Sequence, residues 1–223
     1  MIRWKHPVQG LIAPNGFIPL AEQTGLIKDI SRWVVCEAYR IAEILMPQQI
    51  GLSINISAAD LNDSELYNHA QKLHRQHPTL TPMITLEVTE SCTIMDPENA
   101  CDILHKFAAL GMSISVDDFG SGYSSLAYLK RFPVKELKID RSLIQGIHSD
   151  IDSAIIVQST IDMGHTMGLV VTAEGVETEQ ELERLREFGV DYAQGFWLSR
   201  PLSVEEFCAR HFIAPQPHVT QPI

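Results

Sequence analysis

The stretch GMSISVDDFGSGYSSLAYLKRFPVKELKID, residues 111–140, decides the fold. Within it Ile114 and Val116 alternate with serines, the period of a pleated strand with a buried face. Asp117 and Asp118 close that strand, and Gly120 and Gly122 turn the backbone after them. A helical stretch near residues 124–131 then leads into VKELKID, a second strand. Two adjacent carboxylates repel each other and lose hydration on burial unless a cation or a set of donors lies between them. In parallel α/β folds the carboxyl ends of the strands are where chemistry is placed. The pair therefore marks a candidate divalent-metal site.

The same alternation of strand and helix extends in both directions. At the start, Met1-Ile2-Arg3-Trp4 reads as the end of a strand, and the prolines and glycines of KHPVQGLIAPNG predict an irregular loop. A short helix over residues 17–24 is interrupted by Gly25. Ile27, Ile30, Val34, Ala38, Ile41 and Leu45 recur at helical spacing and predict an amphipathic helix over 27–45. LSINIS (52–57) reads as a strand, residues 58–77 as a helical stretch, and PMITLEVTE (82–90) as the next strand. Pro97 opens a helix that runs to Leu110. Beyond the quoted stretch, a helix over 151–167 precedes the strand LVVTAE (169–174), and a helix over 179–188, closed by Gly189, leads to a last strand at 191–195.

Strands and helices at this spacing imply successive right-handed βαβ units and a parallel sheet. The fold class read from this pattern is α/β and TIM-barrel-like. About six strands are visible, short of the eight that close such a barrel, so the fold reads as N-terminally incomplete. Residues 1–212 form one domain in this reading, and the proline-rich, polar tail 213–223 a disordered end or linker.

The 223 residues are 45% hydrophobic and 20% charged, an ordinary soluble composition. A formal net charge of −11 excludes a surface that grips polymeric nucleic acid by its phosphates. It leaves room for a small phosphorylated ligand, because a bound metal reverses the local field. No apolar run approaches the roughly 20 residues that span a bilayer, and the start carries no secretory signal. A cytoplasmic domain without membrane contact is expected. Cys36, Cys92, Cys101 and Cys208 form no CxxC pair and read as reduced, buried thiols. His74 and His77 share a turn of a polar helix and read as solvent-exposed.

A polar or charged side chain stands at the end of every strand: Asn55, Glu87, Asp117 with Asp118, Lys138, Glu174 and Gln194. In a barrel these ends converge on one mouth. Amide and carboxylate oxygens suit a hard divalent ion such as Mg²⁺ or Mn²⁺. A lysine and a further carboxylate beside it can orient a water and remove its proton, the parts that phosphodiester hydrolysis needs. Each residue also has a structural reading. Asn55 or Ser57 could cap the next helix, Glu87 and Glu90 could be rim charges, and Asp118 could cap through Gly120. Lys138 could pair with Asp140, and Glu177 could serve the start of the helix after it. The recurrence at every strand end favours a site.

The series IRWKHP, FIPLAE, TGLI, INIS, LEVTES, VDDFGSGYSSL, LKIDRS, TAEGVET and QGFWLSRPL, running in this order over residues 3–202, closely resembles the EAL-domain family of cyclic-di-GMP phosphodiesterases. The resemblance implies a TIM-barrel-like fold whose mouth hydrolyses cyclic di-GMP to linear pGpG with Mg²⁺ or Mn²⁺. It implies Asn55, Glu87 and Asp117 as ligands of one metal and Asp118 as a contact to a second. Lys138 would hold the attacking water, Glu174 would be the general base, and Gln194 would support the water and ligand network. Arg3 would pair with a substrate phosphate through its forked donors.

By the same resemblance Glu90 anchors the loop after Asp118. That loop, 119–125, resembles the family's dimerisation loop, with Ser121 where threonine is more usual, so a homodimer through it and the following helix is expected. The family's Glu-Ala-Leu tripeptide ends two residues before the equivalent of Arg3. Met1 stands in the Leu position, which would place the metal-binding Glu ahead of the first residue and leaves impaired turnover as the expectation for this chain. A trimmed domain, a misplaced start and a truncated gene all fit that reading. The alternative function is a module that binds cyclic di-GMP or a protein without turnover. The acids whose loss usually marks such modules, in the DDFG, ExTE and EGVE positions, are present. A metal-independent sugar-phosphate barrel is disfavoured by the Asp117-Asp118 pair and the QG-to-SRP stretch.

Overall fold

In a computed structural model, residues 2–89, 96–120 and 129–211 are described. Glu90, most of the loop 119–125, most of the helix expected at 124–131 and the tail 213–223 lie outside the described residues. The chain opens with an antiparallel hairpin, β1 (Trp4–His6) against β2 (Gly10–Ile12), where the prolines and glycines had predicted an irregular loop. His6 supplies the turn. Its Nδ1 accepts the backbone N–H groups of Val8 (3.2 Å) and Gln9 (3.1 Å), and Gly10 takes the left-handed conformation that releases the second strand.

Two helices follow, α1 (Ile18–Thr24), closed by Gly25 in the left-handed conformation, and α2 (Ile27–Leu45). The buried face of α2 runs through Ile27, Ser31, Val35, Ala38 and Ala42, so Ile30, Val34 and Ile41 flank the core and do not centre it. After β3 (Leu52–Ile56), the single helix expected over 58–77 is two, α3 (Ala58–Leu61) and α4 (Ser64–Gln76). Ser57 and Asp60 cap α3 reciprocally, and Asp63 starts the second helix by accepting from Glu65 N. His74 is not simply exposed: its Nδ1 lies 3.0 Å from the Thr81 hydroxyl.

A 3₁₀ turn over Thr81–Met83 delays β4 to Ile84–Thr89. Then come α5 (Pro97–Ala109), β5 (Ser113–Phe119), β6 (Glu136–Ile139), α6 (Arg141–Ile144) and α7 (Ile151–Thr166). The chain continues through β7 (Val170–Ala173), α8 (Glu179–Glu187), β8 (Tyr192–Ala193) and α9 (Val204–Arg210). The last helix was not expected, although Ser203 and Glu206 spell its capping box.

Strands β3 to β8 form one six-stranded, all-parallel sheet in chain order. Right-handed crossovers between consecutive parallel neighbours put the helices on one face, the arrangement of a TIM-barrel-like α/β fold. Strand alternation sorts the side chains. Leu86, Ile114, Leu137 and Val171, none more than 1% exposed, belong to the apolar core, and full burial of each contributes about 1.5–3 kcal/mol. The other face carries Asn55, Glu87, Ser115, Asp117, Lys138 and Thr172. Of the described cysteines, all free, Cys208 is buried and Cys36 is exposed, so the expectation of buried thiols holds only in part.

Glu181 joins two loops at the mouth end of the sheet. Its carboxylate accepts from the backbone N–H groups of Gly146 (3.0 Å), Glu177 (2.8 Å) and Thr178 (3.0 Å) while completing the capping box of α8. Burial pushes this carboxyl up, but the backbone donors outweigh it and hold the group below the usual carboxylate range. A depressed folded-state pKa adds stability that is fully present above the unfolded value and is lost as the pH falls through the folded one. Glu181→Ala should lower the unfolding free energy by about 2 kcal/mol at pH 7. In urea unfolding series its deficit should shrink as the pH falls below the ordinary glutamate value and through the lower folded-state one.

Candidate metal centre

Sheet register builds the site from separate strands. Asn55 on β3 is the direct partner of Glu87 on β4, Thr89 pairs with Asp117 on β5, and Lys138 on β6 pairs with Thr172 on β7. Regular alternation from Val116 would send Asp118 into the apolar core and Phe119 into the mouth. The structure prevents this with a bulge. Val116 pairs with Leu137 and Phe119 with Ile139, so β5 carries one extra residue against β6.

Asp118 absorbs that residue with φ +57, the left-handed region that a short polar side chain tolerates better than most. Phe119 returns to the core. Asp117, Asp118 and Glu174 each present a carboxylate oxygen, and the three oxygens lie within 4.8 Å of one another.

Lys138 sits beside this group, 4% exposed. Its Nζ donates to Glu174 Oε1 at 2.5 Å and Glu87 Oε1 at 2.7 Å, and lies 3.5 Å from Asp117 Oδ1. Asn55 Nδ2 donates to Glu87 Oε2 at 3.2 Å. The structural readings of these residues fall away. Ser57, not Asn55, caps α3; Glu87 is 7% exposed and no rim charge. Asp140, weighed only as a partner for Lys138, caps α6 through Ser142 N at 2.9 Å and shares a hydrogen bond with Asp118. Its place two residues after Lys138, on the same strand face, was the available signal. Glu177 does serve the next helix, its N–H bonding to Glu181.

The electrostatics show what the cluster lacks. Burial alone would lower the Lys138 pKa, but Glu87, Glu174 and Asp117 outweigh it and keep the ammonium charged. Burial pushes Glu174 up to about 7 against the pull of Lys138, with Asp117 and Glu87 adding to the rise. Burial, then the charges of Asp117 and Asp140, raises Asp118 as well. Four carboxylates thus share one ammonium, and two of them resist ionisation. A hard divalent cation fits this set: the donors are oxygens, three converge within one ion's reach, and added positive charge relieves their crowding.

Two expected contributors lie further out. Arg3 precedes β1 and donates from Nη1 to the Ile2 carbonyl at 2.9 Å. Gln194 follows β8, its N–H bonded to Ala173 O (2.8 Å) and its carbonyl accepting from Val176 N (3.0 Å), so its backbone is tied to the end of β7 and the loop that carries Glu174. The QG pair has a steric cause, because a Cβ on Gly195 would lie 2.1 Å from the Val176 carbonyl oxygen. Among the described residues, no helix is long and apolar enough to cross a membrane.

Fold and site together define a domain whose strand-end acids surround a buried lysine. The sequence profile described as EAL domain matches residues 1–201, and the chain belongs to the EAL domain family. It is 42% identical over 212 residues to the bifunctional diguanylate cyclase/cyclic di-GMP phosphodiesterase MucR of Pseudomonas aeruginosa, a match covering 94% of this chain and 31% of that protein. It is 34% identical over 209 residues to the cyclic di-GMP phosphodiesterase PdeR of Escherichia coli, covering 93% and 32%. The chain therefore spans about a third of the length of these curated relatives. Among solved structures, the PaMucR phosphodiesterase in its c-di-GMP complex superposes with a TM-score of 0.85 at 42% identity, over 92% of this chain and 84% of that one.

Two outcomes test the metal centre. Mn²⁺ at about 100 times its Kd should stabilise the protein by about 2.7 kcal/mol. That corresponds to a rise of about 5–10 °C in Tm by scanning calorimetry. Lys138→Met, which strips the carboxylates of their ammonium, should destabilise the metal-free protein by about 3–5 kcal/mol in urea.

Proposed function

We propose that this domain hydrolyses cyclic di-GMP to linear pGpG at the Lys138 cluster, with Mg²⁺ or Mn²⁺ held by Asn55, Glu87, Asp117 and Asp118. The observation that carries this reading is the buried Lys138 ammonium shared by Glu87, Glu174 and Asp117, in a chain 42% identical to a phosphodiesterase solved with c-di-GMP. The ion, when bound, supplies Lewis-acid polarisation of the phosphoryl oxygens and stabilises the charge that develops on them.

The chain's own residues do the rest. Lys138 Nζ donates a hydrogen bond to the attacking water and orients it. Glu174, its carboxyl pushed up to about 7, is matched to neutral pH both to take a proton from that water and to release it afterwards. The water oxygen forms its bond to phosphorus as the bond to the 3′ oxygen breaks, which leaves a 5′-phosphate and, once that oxygen takes a proton, a 3′-hydroxyl. Arg3 pairs with a substrate phosphate through its forked donors, and Gln194 supports the water and ligand network. Pairing of two copies through the loop 119–125 and the helix after it rests on family resemblance alone.

Purified protein incubated with Mn²⁺ and cyclic di-GMP should release pGpG, followed by chromatography, and EDTA should stop it. Glu174→Gln should lower kcat by about 10²–10⁴-fold while cyclic di-GMP still binds. Unchanged turnover would remove Glu174 as the base. Binding without any turnover in the wild type would leave a cyclic-di-GMP-binding module in place of an enzyme.

A further inference from the structure

Glu87, Ser115 and Glu136 form one rung across β4, β5 and β6, each the register partner of the next. Register partners share a sheet face, so all three side chains stand on the polar face, one alternation below Asp117 and Lys138. Ser115 is completely buried, and its Oγ finds no protein group within hydrogen-bond distance; among the described residues, only Asp60 Oδ1 shares that condition. Glu87 is engaged by Asn55 on the same rung and by Lys138 on the rung above, while Glu136 Oε1 accepts from Thr172 Oγ1, the register partner of Lys138, at 2.5 Å.

A buried hydroxyl needs an acceptor for its proton, and the carboxylates of its two register partners, neither in direct hydrogen bond with it, are the acceptors nearest to it in register. A single bridging water would connect them. We propose that Ser115 and Glu136 hold one internal water beneath the metal centre, and that through this water Ser115 positions Glu87. The Ser115 hydroxyl donates to the water, which donates in turn to the carboxylates of Glu136 and Glu87. Three polar partners lie within the two to four that a buried water requires. Ser115 is then a positioning residue, holding the Glu87 carboxylate through the water while Lys138 and Asn55 bond it directly. The inference rests on the reading of Glu87 as a metal ligand.

A crystal structure of the full chain should show an ordered water within hydrogen-bond distance of Ser115 Oγ and of a Glu136 or Glu87 carboxylate oxygen. A direct bond from Ser115 Oγ to a protein atom would overturn the proposal. Ser115→Ala should weaken Mn²⁺ binding at least tenfold by calorimetric titration and lower kcat with KM unchanged. Ser115→Thr, which keeps the hydroxyl, should stay within about threefold of wild type in both. Wild-type Mn²⁺ affinity in Ser115→Ala would overturn the positioning role. Should the protein bind Mn²⁺ yet leave cyclic di-GMP intact, only the catalytic reading fails, because the water and the Mn²⁺ titration decide this proposal without turnover.

Discussion

One ammonium surrounded by carboxylates governs this molecule. Lys138 lies in the sheet with Glu87, Asp117 and Glu174 around it, drawn from β4, the end of β5 and the residue after β7. None of these charges is tolerable alone in the interior, because an unpaired buried ion costs several kcal/mol. Together they are admissible only if strands far apart in sequence hold their register to within a residue, since a slip of one place would turn every side chain to the opposite face. The apolar side of the sheet provides that rigidity. Leu86, Ile114, Leu137 and Val171 hold the strands against the helices, and the polar side can then carry a concentration of charge that opposes folding.

Much of this was legible in the sequence because it follows from period and local chemistry. The two-residue alternation in LSINIS, ITLEVT and SISVDD placed three strands and showed which of their residues share a face. Strand-end acids followed from the same count. What escaped depended on contacts that no local pattern encodes. The hairpin at the start forms because the His6 imidazole accepts two backbone N–H groups, an option that a scan for prolines and glycines does not see. Residues 58–77 divide because Asp63 competes successfully for the backbone of Glu65. The three-way pairing of Lys138 needed the sheet order itself, and Asp140 was matched to the wrong partner because its backbone role at α6 is invisible until that helix exists.

The comparisons and the geometry answer different questions. Family membership covers residues 1–201 and gives the chemistry a class. The geometry says which of these residues stand together. It groups Glu174 with Asp117 and Asp118 as a set of converging oxygens, and puts Glu87 and Asn55 in a neighbouring layer tied to Lys138. Glu174 therefore borders both the converging carboxylate oxygens and the lysine.

The bulge at Asp118 has a consequence for how this sequence can change. It acts as a phase shift in the strand, exchanging the sides on which an acid and an aromatic ring emerge. Deleting one residue between Val116 and Phe119 would remove an aspartate and the bulge together. Plain alternation would then carry the phenyl ring to the core as before, and the mouth would keep a single acid from this strand. The extra residue is thus what lets two consecutive acids emerge on one side. An adjacent pair of mouth-facing aspartates is inseparable from the irregularity in its backbone.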